Sequence, residues 1–137
     1  MSLTAVEIER VRRSFDQTWG ISSKLADLFY SRLFASRAHF RPLFHSDMED
    51  QKRKFISTLA VIVASLDDRA GLESIAERLA MQHLAFGVRA EHYAALGDAL
   101  LWGLEQGLGP RWTPDVAEAW SKAYRMLSEH MIATAYG

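Results

Sequence analysis

The chain contains no cysteine. That absence removes disulfide frameworks, thiolate zinc sites, iron–sulfur clusters and cysteine nucleophiles from consideration. Long hydrophobic runs are missing too. The longest purely aliphatic stretch, Leu59 to Ala64, falls far short of the roughly 20 residues a membrane helix needs. Glu7 and Glu9 stand where a secretory signal wants a basic start and an apolar run. Neither sign of charge dominates. The 16 basic and 17 acidic residues leave a formal charge of −1, so no polyanionic partner such as nucleic acid is called for. No segment alternates like a half-buried strand, and there is no internal repeat, low-complexity tract or linker. These absences imply a cytoplasmic protein that neither inserts into membranes nor binds nucleic acid.

What remains is an ordinary globular balance. The chain has 137 residues, 49% of them hydrophobic and 24% charged, which suits one domain spanning residues 1–137 and argues against disorder. A chain of this length buries roughly two-thirds of its unfolded surface and needs no staples.

Helical periodicity runs nearly throughout. A first helix is predicted over about Thr4–Trp19, with Ile8, Val11, Phe15 and Trp19 in line and Gly20 at its end. A second begins near Ser22 and carries Leu25, Leu28, Phe29 and Leu33, with Tyr30 beside them. Pro42 forces a break or a one-turn helix. Ser46 with Glu49, and Asp47 with Asp50, have capping-box spacing, and the helix after them aligns Gln51, Phe55, Leu59, Ile62 and Leu66. Asp67–Gly71 reads as a turn. A helix from about Leu72 aligns Leu72, Ile75, Leu79 and His83 until Gly87 breaks it. A long helix from about Glu91 is stopped by Gly107, Gly109 and Pro110. Thr113-Pro114 starts the last, with a capping threonine and proline at the first helical position. The expectation is six sizeable helices plus short pieces in an all-α fold.

Three polar side chains interrupt apolar faces. His83 continues the stripe of Leu79. It is either a core histidine bonded to a backbone carbonyl, or a metal ligand through one nitrogen with the other donating to a second acceptor. Tyr30 and Gln51 lie on faces otherwise built from Leu, Phe and Ile. A buried phenol or amide without a partner costs on the order of 1–3 kcal/mol. Either the tyrosine lies half out, or both groups point into a pocket and bond each other or a polar ligand. The other histidines, His39, His45, His92 and His130, form no helical zinc pair. Asp47/Glu49/Asp50 and Asp67/Asp68 read as caps and turns. Lys52-Arg53-Lys54 and Arg10, Arg12 and Arg13 read as solvated faces. No nucleophile-elbow or phosphate-loop pattern accompanies the serines.

Leu28-Phe29-Tyr30-Ser31-Arg32-Leu33-Phe34 followed by Phe40-Arg41-Pro42-Leu43-Phe44 resembles the bacterial globins, in particular the single-domain bacterial haemoglobins and the globin domain of flavohaemoglobins. So do Gln82-His83, Gly87-Val88, His92-Tyr93, Leu96-Gly97 and the segment Ala119-Trp120-Ser121-Lys122-Ala123-Tyr124. The likeness covers essentially the whole chain, in order and with matching spacing. It implies the globin fold, with six helices around a pocket for haem b. By this resemblance His83 matches the proximal ligand of haem iron, and Phe44 the phenylalanine packed on the haem face. Tyr30 and Gln51 match the distal pair that hydrogen-bonds dioxygen. Phe55 borders the same pocket, where the family more often has leucine, and Tyr93 matches a tyrosine on the proximal side.

In two respects the sequence departs from the flavohaemoglobins. Their glutamate on the last helix, which joins the proximal histidine and tyrosine, is replaced in register by Ala135; Glu129, six residues earlier, lies about 240° away around a helix. The second is the expectation that no flavin or nicotinamide domain follows the globin. The resemblance therefore implies reversible binding of dioxygen and other diatomic gases for transport, storage or delivery. The alternatives are a nitric oxide dioxygenase fed by a separate reductase, a haem-based gas or redox sensor, and a helical module without haem.

Overall fold

The computed structural model describes residues 3–36, 38–43 and 47–136. Within them run six α-helices: α1 (Ala5–Thr18), α2 (Ser22–Ser36), α3 (Met48–Ala64), α4 (Arg69–Ala85), α5 (Tyr93–Leu108) and α6 (Pro114–Tyr136). Short 3-10 turns at Trp19–Ile21, Ala38–Leu43, Ala90–His92 and Gly109–Arg111 join some of them. No strand occurs among the described residues.

The helix ends show why the boundaries fall where they do. Thr4 caps α1: its Oγ1 accepts the Glu7 N–H at 3.1 Å, and Glu7 Oε1 accepts the Thr4 N–H at 2.8 Å. Two orphan donors are thereby satisfied by one pair of side chains. Asp47 caps α3 through the Glu49 N–H; Ser46, the other candidate, lies outside the described residues. Pro42 sits within a 3-10 turn, as its missing donor requires.

The expected turn at Asp67–Gly71 is shorter than its composition suggests. Asp68 accepts the Gly71 N–H at 3.1 Å, so α4 starts at Arg69 and takes Gly71 into its first turn. Gly20 does not reverse the chain; it continues through a 3-10 turn into α2. Gly107 lies inside α5, and Gly109, at φ 57°, ends that helix. The Thr113 hydroxyl accepts the Val116 N–H at the start of α6.

The core is built where α2 crosses α5 and where α6 packs on α1, α4 and α5. Leu25, Leu33, Ala99 and Leu104 are completely buried there. Each such leucine contributes about 1.5–3 kcal/mol by leaving water. The Trp120 indole N–H donates to Ser14 Oγ at 2.8 Å, while the Ser14 hydroxyl donates to the Arg10 carbonyl, so the polar atoms of this core are paired.

α3 rests on α2 and α1, and α4 rests on α6. The two helices do not pack along each other, and this division is the slot between the α3 and α4 sides of the fold. Arg12 of α1 ties the far end of α3: its guanidinium donates to the Val63 and Ala64 carbonyls at 3.2 and 2.8 Å and to Asp67 at 2.8 Å. Last-turn carbonyls of a helix lack intrahelical donors, and Arg12 supplies them.

Candidate functional site

α4 delivers His83 in its last turn, and three features fix it there. Gly87 takes φ 87°, a conformation that L side chains resist. With it the Gly87 N–H reaches the Leu84 carbonyl at 3.1 Å and the Val88 N–H reaches the His83 carbonyl at 3.0 Å. This is the paired 5→2 and 6→1 ending of the Schellman motif. The Val88 carbonyl in turn accepts the Tyr136 hydroxyl. The His83 ring is then oriented by its own helix, with Nδ1 2.7 Å from the Leu79 carbonyl.

A carbonyl only accepts, so Nδ1 carries the proton, and Nε2 of the neutral ring keeps its lone pair. Burial pushes the His83 pKa below its ordinary value, against the raising effect of the Leu79 carbonyl, so the neutral form is favoured. Leu79 joins Ala76 and Ala80 in the small cluster packed against α6, His83 follows one turn on, and Phe86 caps the helix. Phe86 is 57% exposed there, an apolar wall with little protein on it.

Tyr93 stands behind His83, with ring centroids 6.1 Å apart and planes 27° from parallel. The Tyr124 hydroxyl donates to the Tyr93 carbonyl at 2.6 Å. That contact depends on Gly97, where a Cβ would stand 2.5 Å from the Tyr124 ring. Ala135 is half-buried against the small cluster of Ala76, Ala80, Val88, Tyr93 and Met131. Position 135 therefore contributes packing, and the hydroxyl nearby belongs to its neighbour Tyr136.

Across the slot, Tyr30 is only 4% exposed, so the half-out alternative is excluded. Its side chain hydrogen-bonds that of Gln51, which brings α2 and α3 together at their polar positions. Burial raises the phenol pKa to about 12, the Gln51 bond offsetting part of the rise. The hydroxyl therefore remains a donor at any physiological pH. Around it stand three rings. Phe55 stacks on Phe29 at 4.3 Å and 14°, and meets Tyr30 edge-on at 5.8 Å. Phe34 lies 5.8 Å from Tyr30, with the Arg41 guanidinium over its outer face.

Of the predicted site residues, the structure brings Tyr30, Gln51 and Phe55 together, and it places Tyr93 against His83. Phe44 lies outside the described residues, as does His45. His92 is a buried structural histidine: its Nδ1 accepts the Arg89 N–H at 3.0 Å, and its ring meets Phe40 edge-on at 4.8 Å. His130 pairs with Glu77 on the surface. Leu79, Phe29, Tyr124 and Tyr136 were given no part in the site from the sequence. Leu79 acts through its carbonyl, which every residue has. Tyr124 had a signal in Gly97, because a glycine inside a helix often marks a close approach.

A globin family model matches residues 27–131. The chain belongs to the globin family. This globin is 34% identical over 107 residues to the flavohemoprotein of Bordetella pertussis, a match covering 76% of this chain and 27% of that protein. It is 28% identical over 133 residues to the flavohemoprotein of Vibrio cholerae, covering 95% of this chain and 34% of that one. The match thus spans about a quarter to a third of the length of these relatives.

Among solved structures, it superposes with a TM-score of 0.87 on an engineered carbene transferase from a Rhodothermus marinus protein designated a nitric oxide dioxygenase, at 26% identity, covering 98% of this chain and 94% of that one. A bacterial globin of Campylobacter jejuni shares the fold at a TM-score of 0.83 and 21% identity, covering 96% of each chain. The globin family implies haem, and the residues present fit it. His83 has a lone pair on Nε2, Phe86 stands exposed at the end of its helix, and α2 and α3 bring Phe55 together with a pair of polar donors.

Proposed function

We propose that this globin holds haem b through His83 Nε2 and binds dioxygen reversibly, presenting the Tyr30 hydroxyl and the Gln51 amide to the gas. Haem supplies the iron that takes a diatomic ligand, and the protein decides which ligand stays. The observation that carries the reading is the division of labour in the His83 ring: Nδ1 is committed to the Leu79 carbonyl, which orients Nε2 as a metal ligand. On the opposite side a protonated phenol and an amide sit within an aromatic enclosure. Donors in so enclosed a site would favour a bound gas that gains partial negative charge over one that stays neutral. Phe44 and Phe55 complete the proposed pocket walls, and Tyr93 backs the iron ligand.

The test is an absorption series on the reconstituted protein. Stoichiometric haem, a five-coordinate ferrous spectrum and a stable oxygenated spectrum support the reading. A colourless protein that takes up no haem overturns it. A six-coordinate ferrous spectrum without added ligand shows that an internal side chain occupies the gas position.

Similarity to flavohemoproteins and to a designated nitric oxide dioxygenase favours a second reading. In it the same site oxidises nitric oxide to nitrate with electrons from a separate reductase. Sustained nitrate formation with a supplied reductase supports it. Stoichiometric gas binding without turnover leaves the binding function alone.

A further inference from the structure

A cleft of about 640 Å³ opens between α2 and α3 on the side of the molecule where Tyr30 lies. Ser31 and Phe34 stand on its α2 wall, Ile56 and Ser57 on its α3 wall, and Tyr30 reaches its floor. Its rim is polar. Across it Lys52 Nζ meets Asp27 Oδ1 at 2.9 Å and Glu49 at 3.5 Å, so one ion pair ties α3 to α2 over the opening. We propose that this cleft is the route by which neutral diatomic gases pass between solvent and the Tyr30–Gln51 pocket, with the Asp27–Lys52 pair as a clasp across it. The route rests on the haem reading above.

Three observations lead there. First, Tyr30 faces two ways: it lines the cleft, and its side chain is hydrogen-bonded to Gln51, which does not line it. A small displacement of one ring joins cleft and pocket, and exchange of a ligand for the Gln51 bond provides a reason for the displacement. Second, Phe29 and Phe55 stack on each other and both meet Tyr30 edge-on, so aromatic rings crowd that part of Tyr30, whereas the cleft reaches it directly. Third, the chemistry of the cleft sorts its traffic. Ions and water are held by the serines and charges of the rim, while a neutral apolar molecule loses nothing by leaving water for Phe34, Ile56 and Met48 on the inner walls.

An obstruction on a path slows passage in both directions equally and leaves affinity untouched, whereas a change at the binding position alters the ratio of the rates. Ser57→Trp and, separately, Ser31→Trp place an indole in the cleft from opposite exposed rims. Carbon monoxide association by flash photolysis, and its displacement by nitric oxide, are measured on the haem-loaded protein. The expected result in each variant is that both rates fall about tenfold, a barrier change of about 1.4 kcal/mol, with an unchanged equilibrium constant. Lys52→Met, which removes the clasp, is expected to raise both rates about twofold to fivefold. Rates within about a factor of two of the parent in both tryptophan variants, with a normal carbon monoxide spectrum, overturn the route and leave haem binding intact. A change confined to dissociation also overturns it. A parent protein that takes up no haem overturns the haem reading, and the route falls with it.

Discussion

The two sides of the slot are held by different kinds of bond. On the His83 side the geometry is set by main chain: the Leu79 carbonyl orients the ring, Gly87 and Val88 close the helix beneath it, and two tyrosine hydroxyls clamp the Tyr93 and Val88 carbonyls. On the Tyr30 side it is set by side chains: a phenol–amide pair, a stack of phenylalanines, and an ion pair across an open cleft. Main-chain bonds are costly to leave unmade and tolerate few alternatives. Side-chain pairs are individually replaceable. The difference teaches that the His83 side is fixed by bonds that substitution of side chains barely reaches, while the Tyr30 side can be retuned one side chain at a time.

The largest expected effect breaks the fixed side outright. His83→Ala removes the proposed iron ligand and opens a cavity beside Tyr93. Haem affinity should fall at least about 100-fold, more than the loss typical of an outer-shell change, and the holo-protein should melt at lower temperature. Titration of haem into the apo-variant, followed by absorbance and thermal denaturation, checks both. Unchanged haem content and ferrous spectrum contradict the assignment.

Next comes the tunable side. Tyr30→Phe keeps the ring and its aromatic contacts and deletes only the donor. Losing a hydrogen bond to a partly charged group costs about 1.5–3 kcal/mol, roughly tenfold to a hundredfold in dioxygen release at constant association. Carbon monoxide, a poorer acceptor, should be released at nearly the parent rate. Gln51→Leu should show a weaker version if the amide chiefly orients the phenol. Stopped-flow dissociation of both gases decides, and equal effects on the two place the loss in shape rather than hydrogen bonding.

Gly87→Ala sharpens the main-chain claim. At φ 87° a Cβ costs about 1–2 kcal/mol, while Leu43 at 3.5 Å leaves room for it. The variant should therefore fold, lose stability by about that amount, and show a shifted iron–histidine stretching frequency because the last turn of α4 must relax. Stability loss with an unaltered frequency separates the helix ending from the placement of His83.

The smallest expected effect concerns the anchor of α3. The Arg12 hydrogen bond, with its charge, holds the Asp67 carboxyl below its ordinary value of 3.8. A group lowered on folding adds stability that is complete above its unfolded pKa and is lost as pH falls through the folded one. The melting temperature of Asp67→Asn should sit slightly below the parent at pH 7, and the gap should close below about pH 4. A gap that persists at pH 2 attributes the effect to something other than this charge.

Much of this was legible in the sequence. The six helices follow from apolar spacing, and Thr4, Asp47 and Thr113 begin helices because their side chains supply acceptors that local geometry can use. The Asp67–Gly71 stretch misled because aspartate and glycine mark both a turn and a cap, and only the bond from Gly71 to Asp68 tells them apart. His83, Tyr30 and Gln51 were visible as polar residues out of place on apolar faces.

The sequence by itself determined the helices, the missing cysteine chemistry and the presence of polar groups that a plain core would reject, because these depend on residue type and on spacing along one chain. The tertiary structure decided what those groups do. Whether Tyr30 lies out or in, and whether it meets Gln51, depends on how α2 crosses α3. That the helix itself supplies the acceptor for His83 Nδ1, leaving Nε2 to the slot, depends on a backbone carbonyl that no side-chain pattern encodes. That Tyr136 and Tyr124 support the turn from across the fold depends on contacts 48 and 31 residues apart, which local propensity does not reach.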